Sequence, residues 1–263
     1  MDLGLAGRLV CVVGASKGIG AASARALASE GARVVLMARD ASSLNALRDE
    51  IATAGGEAMV MQVDALDSAS VDQAFSRLEE EHGALDACVI SVGAAQGGLM
   101  WELSDQVWQE ALDLKFMGLV RVLRAIAPRM QARKRGRIVA VVGNNGRQPG
   151  ARMIPGSAAN AACLALVRGL AEELAPSGVS LNALNPGPTR TDRWVRLISN
   201  LAAAGSNTSR EEVEARQLST MPRGRIAEAD EMGKLAAILC SDLVDMMTGS
   251  ALTADGGATK GLP

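Results

Sequence analysis

Short apolar runs alternate with amphipathic stretches along most of the chain. Leu9–Val13 is a continuous apolar run that ends at Gly14, a pattern typical of a strand buried on both faces of a parallel sheet. A helical stretch over 21–30 follows and ends at Gly31, and residues 33–37 form the next apolar run. This order predicts a strand–helix–strand unit whose two strands are parallel.

The same alternation continues toward the C-terminus. It predicts strands at 58–63, 87–91, 137–142, 179–184 and 250–253, and helices near 42–54, 71–81, 106–132, 157–174 and 228–240. We therefore expect an α/β fold of one domain over residues 1–263: a Rossmann-type, doubly wound, parallel seven-stranded sheet with helices on both faces. The alternation of strands and helices is interrupted at 193–222. We interpret this segment as a substrate lid, with a surface helical hairpin as the alternative.

Composition narrows the classes of partner. Hydrophobic residues make up 48% of the 263 positions, the net charge is −2, and no basic run is present, so nucleic acid is not expected as a partner. The N-terminus does not resemble a secretory signal and no apolar run reaches the ~20 residues of a membrane span, so we expect a cytoplasmic protein. The four cysteines are far apart in apolar stretches, which predicts buried thiols and no metal site: Cys11, Cys88, Cys163 and Cys240.

A glycine-rich turn separates the first strand from the first helix. Missing side chains allow the backbone to approach a pyrophosphate, whose charge is favoured at the free amides of a helix N-terminus. The predicted dinucleotide-binding residues of this turn are Gly14, Ser16, Lys17, Gly18, Ile19 and Gly20.

The three-residue spacing between the first two glycines resembles the short-chain dehydrogenase/reductase family, and other landmarks of that family follow in order. The resemblance implies that Asp64, after the third strand, holds the adenine ring and that Gly93 lets the backbone pass the cofactor. It also implies that Pro186 and Gly187 belong to the cofactor site and that Thr191 contacts the nicotinamide amide. Relatives assemble as homotetramers or homodimers through the helices that begin here near 106 and 157.

The end of the second strand indicates which nicotinamide cofactor is used. NAD-selective relatives carry an acidic residue there for the ribose diol, whereas this chain has Arg39. Lys17 in the glycine-rich turn supplies a second cation, and two cations can pair with a 2′-phosphate. We therefore favour NADP(H) over NAD(H), with two solvated surface cations as the alternative.

The positions that match the family's catalytic residues all differ from its pattern. By resemblance, Gly143 stands at the serine position, Gly156 at the tyrosine, Asn160 at the lysine and Lys115 at the asparagine, and the chain contains no tyrosine. The sequence therefore predicts a divergent member that lacks the Ser-Tyr-Lys set. His82 precedes the fourth strand, so we expect it at the opposite edge of the sheet.

Three residues are candidates to replace the missing catalytic residues of the family. By resemblance, the family's asparagine and lysine are exchanged here, as Lys115 and Asn160. The exchanged pair could still bind the nicotinamide ribose and a water; the alternative is that the two positions diverged by chance. Asn144 belongs to a polar loop after the fifth strand that could polarise an oxyanion, or that has no chemical role. Of the tryptophans, Trp194 is expected beside the pocket, and Trp101 and Trp108 in packing.

Two functions remain open at this point. The first is an NADP(H)-dependent oxidoreductase with a non-standard site, which transfers hydride to or from an activated small molecule. The second is a catalytically inactive homologue that binds NADP(H) as a sensor or to stabilise a partner. The apparently complete cofactor motifs favour the enzyme.

Overall fold

The computed structural model describes residues 2–93, 96–204 and 209–260. The strands are β1 (Leu9–Val13), β2 (Arg33–Ala38), β3 (Glu57–Gln62), β4 (Ala87–Ile90), β5 (Gly136–Val141), β6 (Val179–Pro186), β7 (Thr189–Arg190), β8 (Ala227–Glu228) and β9 (Ala251–Ala254). The α-helices are α1 (Gly18–Ser29), α2 (Ala41–Thr53), α3 (Ser68–His82), α4 (Asp105–Leu112), α5 (Gly118–Arg133), α6 (Ile154–Leu174), α7 (Asp192–Ala204), α8 (Arg210–Ser219) and α9 (Ala229–Leu239).

Seven strands form one sheet in the order β3-β2-β1-β4-β5-β6-β9, and every neighbouring pair is parallel. The predicted fold class is confirmed. Because the chain order reverses between β1 and β4, the turns after these strands diverge and leave a crevice at their carboxyl ends.

Two apolar layers cover the sheet. Helices α3, α5 and α6 pack on one face, and α1, α2 and α9 pack on the other. All five residues of β1 are buried, which explains why its sequence is continuously apolar rather than alternating. All four cysteines are buried, as predicted, and the Sγ atoms of Cys11 and Cys88 lie 3.1 Å apart on the paired strands β1 and β4.

The long helix expected over 106–132 is interrupted. A π-helical turn at Asp113–Met117 separates α4 from α5. Wide turns of this kind occur mostly as single insertions within α-helices and frequently mark functional sites. The hydrophobic pattern predicts one continuous helix, and this interpretation does not allow for an inserted residue, which turns the apolar face by about 100°.

The segment predicted as a lid contains a small core of its own. Helices α7 and α8 pack around Trp194, Ile198, Val213 and Ile226. The expectation that Trp194 lines the pocket was wrong: it is only 6% exposed, and its Nε1 donates to Glu214 at 3.0 Å. The part of the lid at 205–208 lies outside the described residues.

Two further findings concern exposed apolar surface. Trp101 was expected in packing but is 81% exposed, since it lies in a short 3-10 turn before α4. The helical stretch Ile154–Ser177 is long and apolar enough to pass as a membrane span. Here it packs against β6 and contributes Cys163 and Val167 to the core, so we assign it as a core helix.

Candidate active site

The glycine-rich turn is shaped by backbone contacts that exclude side chains. A Cβ at position 20 would lie 2.1 Å from the carbonyl oxygen of Gly14, and a Cβ at position 14 would lie 2.4 Å from that of Ser91. The amide of Gly14 donates to Met37 O at 2.7 Å, which ties the turn to the end of β2. The first and third glycines therefore serve the close packing of β1, α1 and β4.

The second glycine faces the segment after β6. A Cβ at position 18 would meet Cγ2 of Thr191 at 3.4 Å, so the turn and Thr191 lie on opposite sides of one narrow gap. Gly187 donates its amide to Ala254 O at 3.1 Å, which fixes the Pro186-Gly187 segment against β9. The structure thus brings together the two segments predicted to bind the cofactor.

Two exposed cations lie near the glycine-rich turn: Lys17 precedes α1 directly, and Arg39 follows β2 directly. Lys17 and Arg39 are exposed, and neither takes part in an ion pair among residues 2–93, 96–204 and 209–260. The neighbouring acid, Asp40, caps α2 by accepting from the amides of Ser42 and Ser43. Because these serines engage its carboxylate, Asp40 is poorly placed to receive a ribose diol, and the cations fit a 2′-phosphate.

The capping role of Asp40 was missed at the sequence level. Its signal was present, since an aspartate followed by two serines before an apolar period is a typical helix start. The hydrogen bonds from Ser43 lower the pKa of Asp40 below its usual range, so it stays ionised.

Asp64 lies at the end of β3, as predicted. Its carboxylate accepts the amide of Leu66 at 3.0 Å, and its own amide donates to Ser70 Oγ at 3.0 Å. Ser16 and Ile19 are partly buried in the glycine-rich turn. These residues are positioned by local turns at the same carboxyl edge of the sheet as the glycines.

Lys115 projects from the π-helical turn beneath the strand ends. Its Nζ donates to Val92 O at 3.1 Å and to Val141 O at 2.7 Å, so the side chain bridges the segments that follow β4 and end β5. A Cβ at position 93 would lie 2.4 Å from Cδ of Lys115, which explains the glycine at that position. Gly93 has a φ of 142°, where a side chain would also be strained.

The surroundings of Lys115 disfavour the charged form of its side chain. Burial lowers the pKa of the ammonium from 10.5 to about 8; the Cys163 thiol opposes this change, and the Arg193 cation adds to it. Cys163 also donates to the carbonyl oxygen of Lys115 at 3.6 Å, which holds the π-helical turn against α6. Neither contact was anticipated, because both depend on the wide turn.

Asn160 lies in the second turn of α6, against the loop that follows β5. A Cβ at position 143 would lie 3.0 Å from its Nδ2. No hydrogen bond joins Asn160 and Lys115 in the described part of the chain, although their helical segments pack together. The exchanged pair thus lies in one region without direct contact between its polar atoms.

The remaining candidates occupy the same loop and helix. Asn144 donates from Nδ2 to Asp255 at 3.4 Å, so this amide is turned toward the C-terminal loop. Gly156 lies in the first turn of α6. His82 ends α3 before β4, at the opposite edge of the sheet, as expected.

The whole arrangement matches one protein family. The family model described as Enoyl-(Acyl carrier protein) reductase matches residues 14–259, from the glycine-rich turn to the loop after β9. The chain belongs to the short-chain dehydrogenase/reductase family. The resemblance inferred from the glycine spacing and the later landmarks is confirmed.

Among curated relatives, this short-chain dehydrogenase/reductase is similar to Oxidoreductase UcpA of Escherichia coli (strain K12). The two are 33% identical over 259 residues, which cover 97% of this chain and 95% of the relative. It is also similar to NADPH-dependent reductase BacG of Bacillus subtilis (strain 168), with 28% identity over 257 residues covering 97% of this chain and 99% of that one.

Solved structures give the same result. An actinorhodin polyketide ketoreductase with NADPH has a TM-score of 0.93 at 28% identity, covering 97% of this chain and 98% of that one. The NADPH-dependent reductase YwfH has a TM-score of 0.91 at 27% identity, covering 98% and 100% of the two chains. The NADPH named for these proteins agrees with the cofactor predicted from Arg39 and Lys17.

Proposed function

We propose that this short-chain dehydrogenase/reductase is an NADPH-dependent reductase of an activated small molecule. The observation that carries the proposal is the nucleotide end of the crevice. There the glycine-rich turn faces Thr191 across a narrow gap, and Lys17 and Arg39, which follow β1 and β2, make no ion pair with the residues that the structure describes. Bound NADPH supplies a hydride, and the reductase relatives support reduction as the direction.

The substrate end carries a non-standard set of residues in this proposal. The chain has no tyrosine, so no phenol protonates the product oxygen. Lys115, Asn144 and Asn160 are the polar residues that we place there, with Lys115 bracing the strand ends through its two carbonyl contacts. Such a site suits a substrate activated by conjugation or as a thioester, for which solvent supplies the proton.

The lid prediction becomes part of the same proposal. Thr191 faces the glycine-rich turn, and α7 begins at the next residue, so the helix pair leaves the crevice directly from the cofactor wall. Its separate apolar core lets α7 and α8 move together over a substrate. The surface-hairpin alternative predicts no change in these helices when ligands bind.

A panel of enones, imines, quinones and acyl thioesters tests the proposal. Turnover with NADPH is measured for each compound, together with the affinity of the protein for NADPH. We expect turnover on at least one conjugated carbonyl or thioester. Tight NADPH binding without any turnover would instead support the alternative, a non-catalytic homologue that senses NADP(H) or stabilises a partner. The absence of tyrosine from the sequence favours this alternative.

We also propose a homodimer or homotetramer. The outward side of α6 is lined by exposed small residues, Ala158, Ala161 and Ala165, which permit close approach of a second helix. Exposed Gly169 extends this surface by one turn. Sedimentation should give a mass of two or four chains, and a mass of one chain would refute this part. The cytoplasmic location stays a prediction.

A further inference from the structure

The loop after β5 packs on α6, and two of its glycines lie against Asn160. We infer that Asn160 donates a hydrogen bond from Nδ2 to the carbonyl oxygen of the substrate. This inference rests on the proposed reductase function and adds to it the residue that stabilises the developing negative charge.

The position of Asn160 is fixed by two glycines. The Nδ2 atom lies 3.0 Å from where a Cβ of residue 143 would be, so the amide occupies the space that a side chain there would fill. A Cβ at position 146 would lie 2.9 Å from the carbonyl carbon of Asn160 and 3.0 Å from its Cβ. The turn at Asn144–Gly146 therefore packs closely against the base of the side chain and limits its movement.

The amide of Asn160 is also available. No hydrogen bond uses its side chain within residues 2–93, 96–204 and 209–260, and the residue is partly exposed. The two other candidates differ, because Nζ of Lys115 bonds to two carbonyl oxygens and Nδ2 of Asn144 bonds to Asp255. Of the three, Asn160 is the residue whose side chain makes no protein hydrogen bond in the part of the chain that the structure describes.

The glycine against which Asn160 packs lies at the carboxyl edge of the sheet, the edge that also carries the glycine-rich turn. Gly143 follows the carboxyl end of β5, and its amide donates to Asn185 Oδ1 at 3.4 Å on the neighbouring strand β6. Gly143 has a φ of 130°, which a residue with a side chain rarely adopts. Glycine at 143 and asparagine at 160 thus form one unit, in which the missing side chain makes room for the amide.

The chemistry requires a donor that does not lose its proton. When hydride forms a new C–H bond at the carbonyl carbon or at a conjugated carbon, the π electron pair moves to the oxygen. The oxygen becomes an alkoxide or enolate, and a neutral amide held beside it stabilises that charge. Water then supplies the proton and leaves hydroxide, while the nicotinamide coenzyme is oxidised. Asn160 keeps both of its protons throughout.

The variants Asn160→Asp and Asn160→Ala test this role on the full protein. Asn160→Asp keeps the size of the side chain and removes the donor, and Asn160→Ala removes the amide without adding charge. We expect kcat with the best panel substrate to fall on the order of 10²-fold in both, as for other single oxyanion donors. The NADPH dissociation constant and the melting temperature should change little.

The control is the same amide-to-carboxylate exchange at Gln131→Glu. Gln131 is exposed near the C-terminal end of α5, which precedes the amino end of β5, whereas Gly143 follows the carboxyl end. This variant should keep the wild-type kcat. Weaker NADPH binding in both Asn160 variants, with an unchanged kcat at saturating cofactor, would assign Asn160 to the nicotinamide ribose and overturn the inference.

A second readout does not depend on turnover. The infrared carbonyl stretch of cyclohex-2-enone, labelled with ¹³C at the carbonyl, is recorded in the complex with the protein and NADP⁺, where no hydride can be transferred. We expect a shift to lower frequency in the wild-type complex and its loss in Asn160→Ala. An equal shift in both proteins overturns the inference, as does a wild-type protein that binds NADPH but no carbonyl compound. A protein that binds no NADPH would instead refute the proposed function.

Discussion

The two ends of the crevice are built by different means. At the nucleotide end, between β1, α1 and β2, backbone contacts decide the shape, and Gly14 and Gly20 leave no space for a Cβ. At the substrate end, between β4, β5 and α6, side chains decide the arrangement, with Lys115 bridging strand ends and Asn160 filling the space left by Gly143. Cofactor binding thus depends on a backbone shape that tolerates little change, whereas the chemistry depends on donors that other side chains can supply.

The largest effect should come from the backbone-shaped end. Gly20→Ala places a Cβ 2.1 Å from a carbonyl oxygen, so β1 or α1 must move and the pyrophosphate loses its amide partners. We expect NADPH binding to be lost at all practical concentrations, as measured by calorimetric titration.

Gly83→Ala is the control for this substitution. Gly83 has a φ of 92°, and no atom lies within 4 Å of a Cβ placed there, so the change adds strain without a collision. It should cost roughly 1–3 kcal/mol of unfolding free energy and leave NADPH affinity unaltered. If Gly20→Ala bound NADPH as the wild type does, backbone shape would not control the nucleotide end.

The substrate end makes a prediction about pH. The folded-state pKa of Lys115, about 8, lies below its value of 10.5 in the unfolded chain, so between these pH values the unfolded chain binds more protons. The unfolding free energy should therefore rise across this range, by up to about 3 kcal/mol. Lys115→Met should lack this contribution, and the difference between the two proteins in urea unfolding from pH 7.5 to 10.5 measures it.

The Lys115 charge lowers the pKa of the Cys163 thiol, so both proteins are compared in a Cys163→Ala background. The remaining titrating groups are shared, and their effects cancel in that difference. Equal pH dependence in the two proteins would contradict the burial of the Lys115 ammonium, which is the main cause of its lowered pKa.

A charge reversal sharpens the comparison at the nucleotide end. Arg39→Asp should weaken NADPH binding by roughly 10- to 100-fold, because hydrogen bonds to charged groups contribute about 1.5–3 kcal/mol. NADH, which lacks the 2′-phosphate, should bind at least as well as before. Arg48→Asp, an exposed substitution on α2 at a residue already paired with Asp49, serves as the control. Unchanged NADPH affinity in Arg39→Asp would contradict the assigned role of this cation.

The smallest effect belongs to the lid. Trp194→Phe keeps the ring in the small core of α7 and α8 but removes the 3.0 Å bond to Glu214. We expect a loss of about 1.5 kcal/mol, confined to α7 and α8, that appears as faster hydrogen exchange in these two helices. Unaltered exchange would show that this bond does not hold the two helices together.

The nucleotide end could be predicted from the sequence better than the substrate end. The run Leu9–Val13 became a strand with those bounds, and the glycine spacing correctly identified the family, because buried parallel strands and phosphate turns restrict which residues fit. Arg39 at the end of β2 indicated NADP(H), because a positive charge at that point can pair with the 2′-phosphate of the cofactor.

Side-chain placement at the other end was beyond prediction. The π-helical turn that carries Lys115 is a single wide turn, and the sequence does not mark its position within a long helical stretch. The contact between Asn160 and Gly143 joins residues 17 positions apart in different elements. Trp194 was expected in the pocket because it follows Thr191, but the packing of α7 on α8 turned it inward.

The most direct test of the whole account is a calorimetric titration of the purified protein with NADPH and, separately, with NADH. The exposed cations Lys17 and Arg39 predict micromolar or tighter binding of NADPH and at least ~10-fold weaker binding of NADH. If neither cofactor bound, the result would contradict the account, because the glycine-rich turn would then be a structural remnant. The non-catalytic alternative would lose its ligand as well.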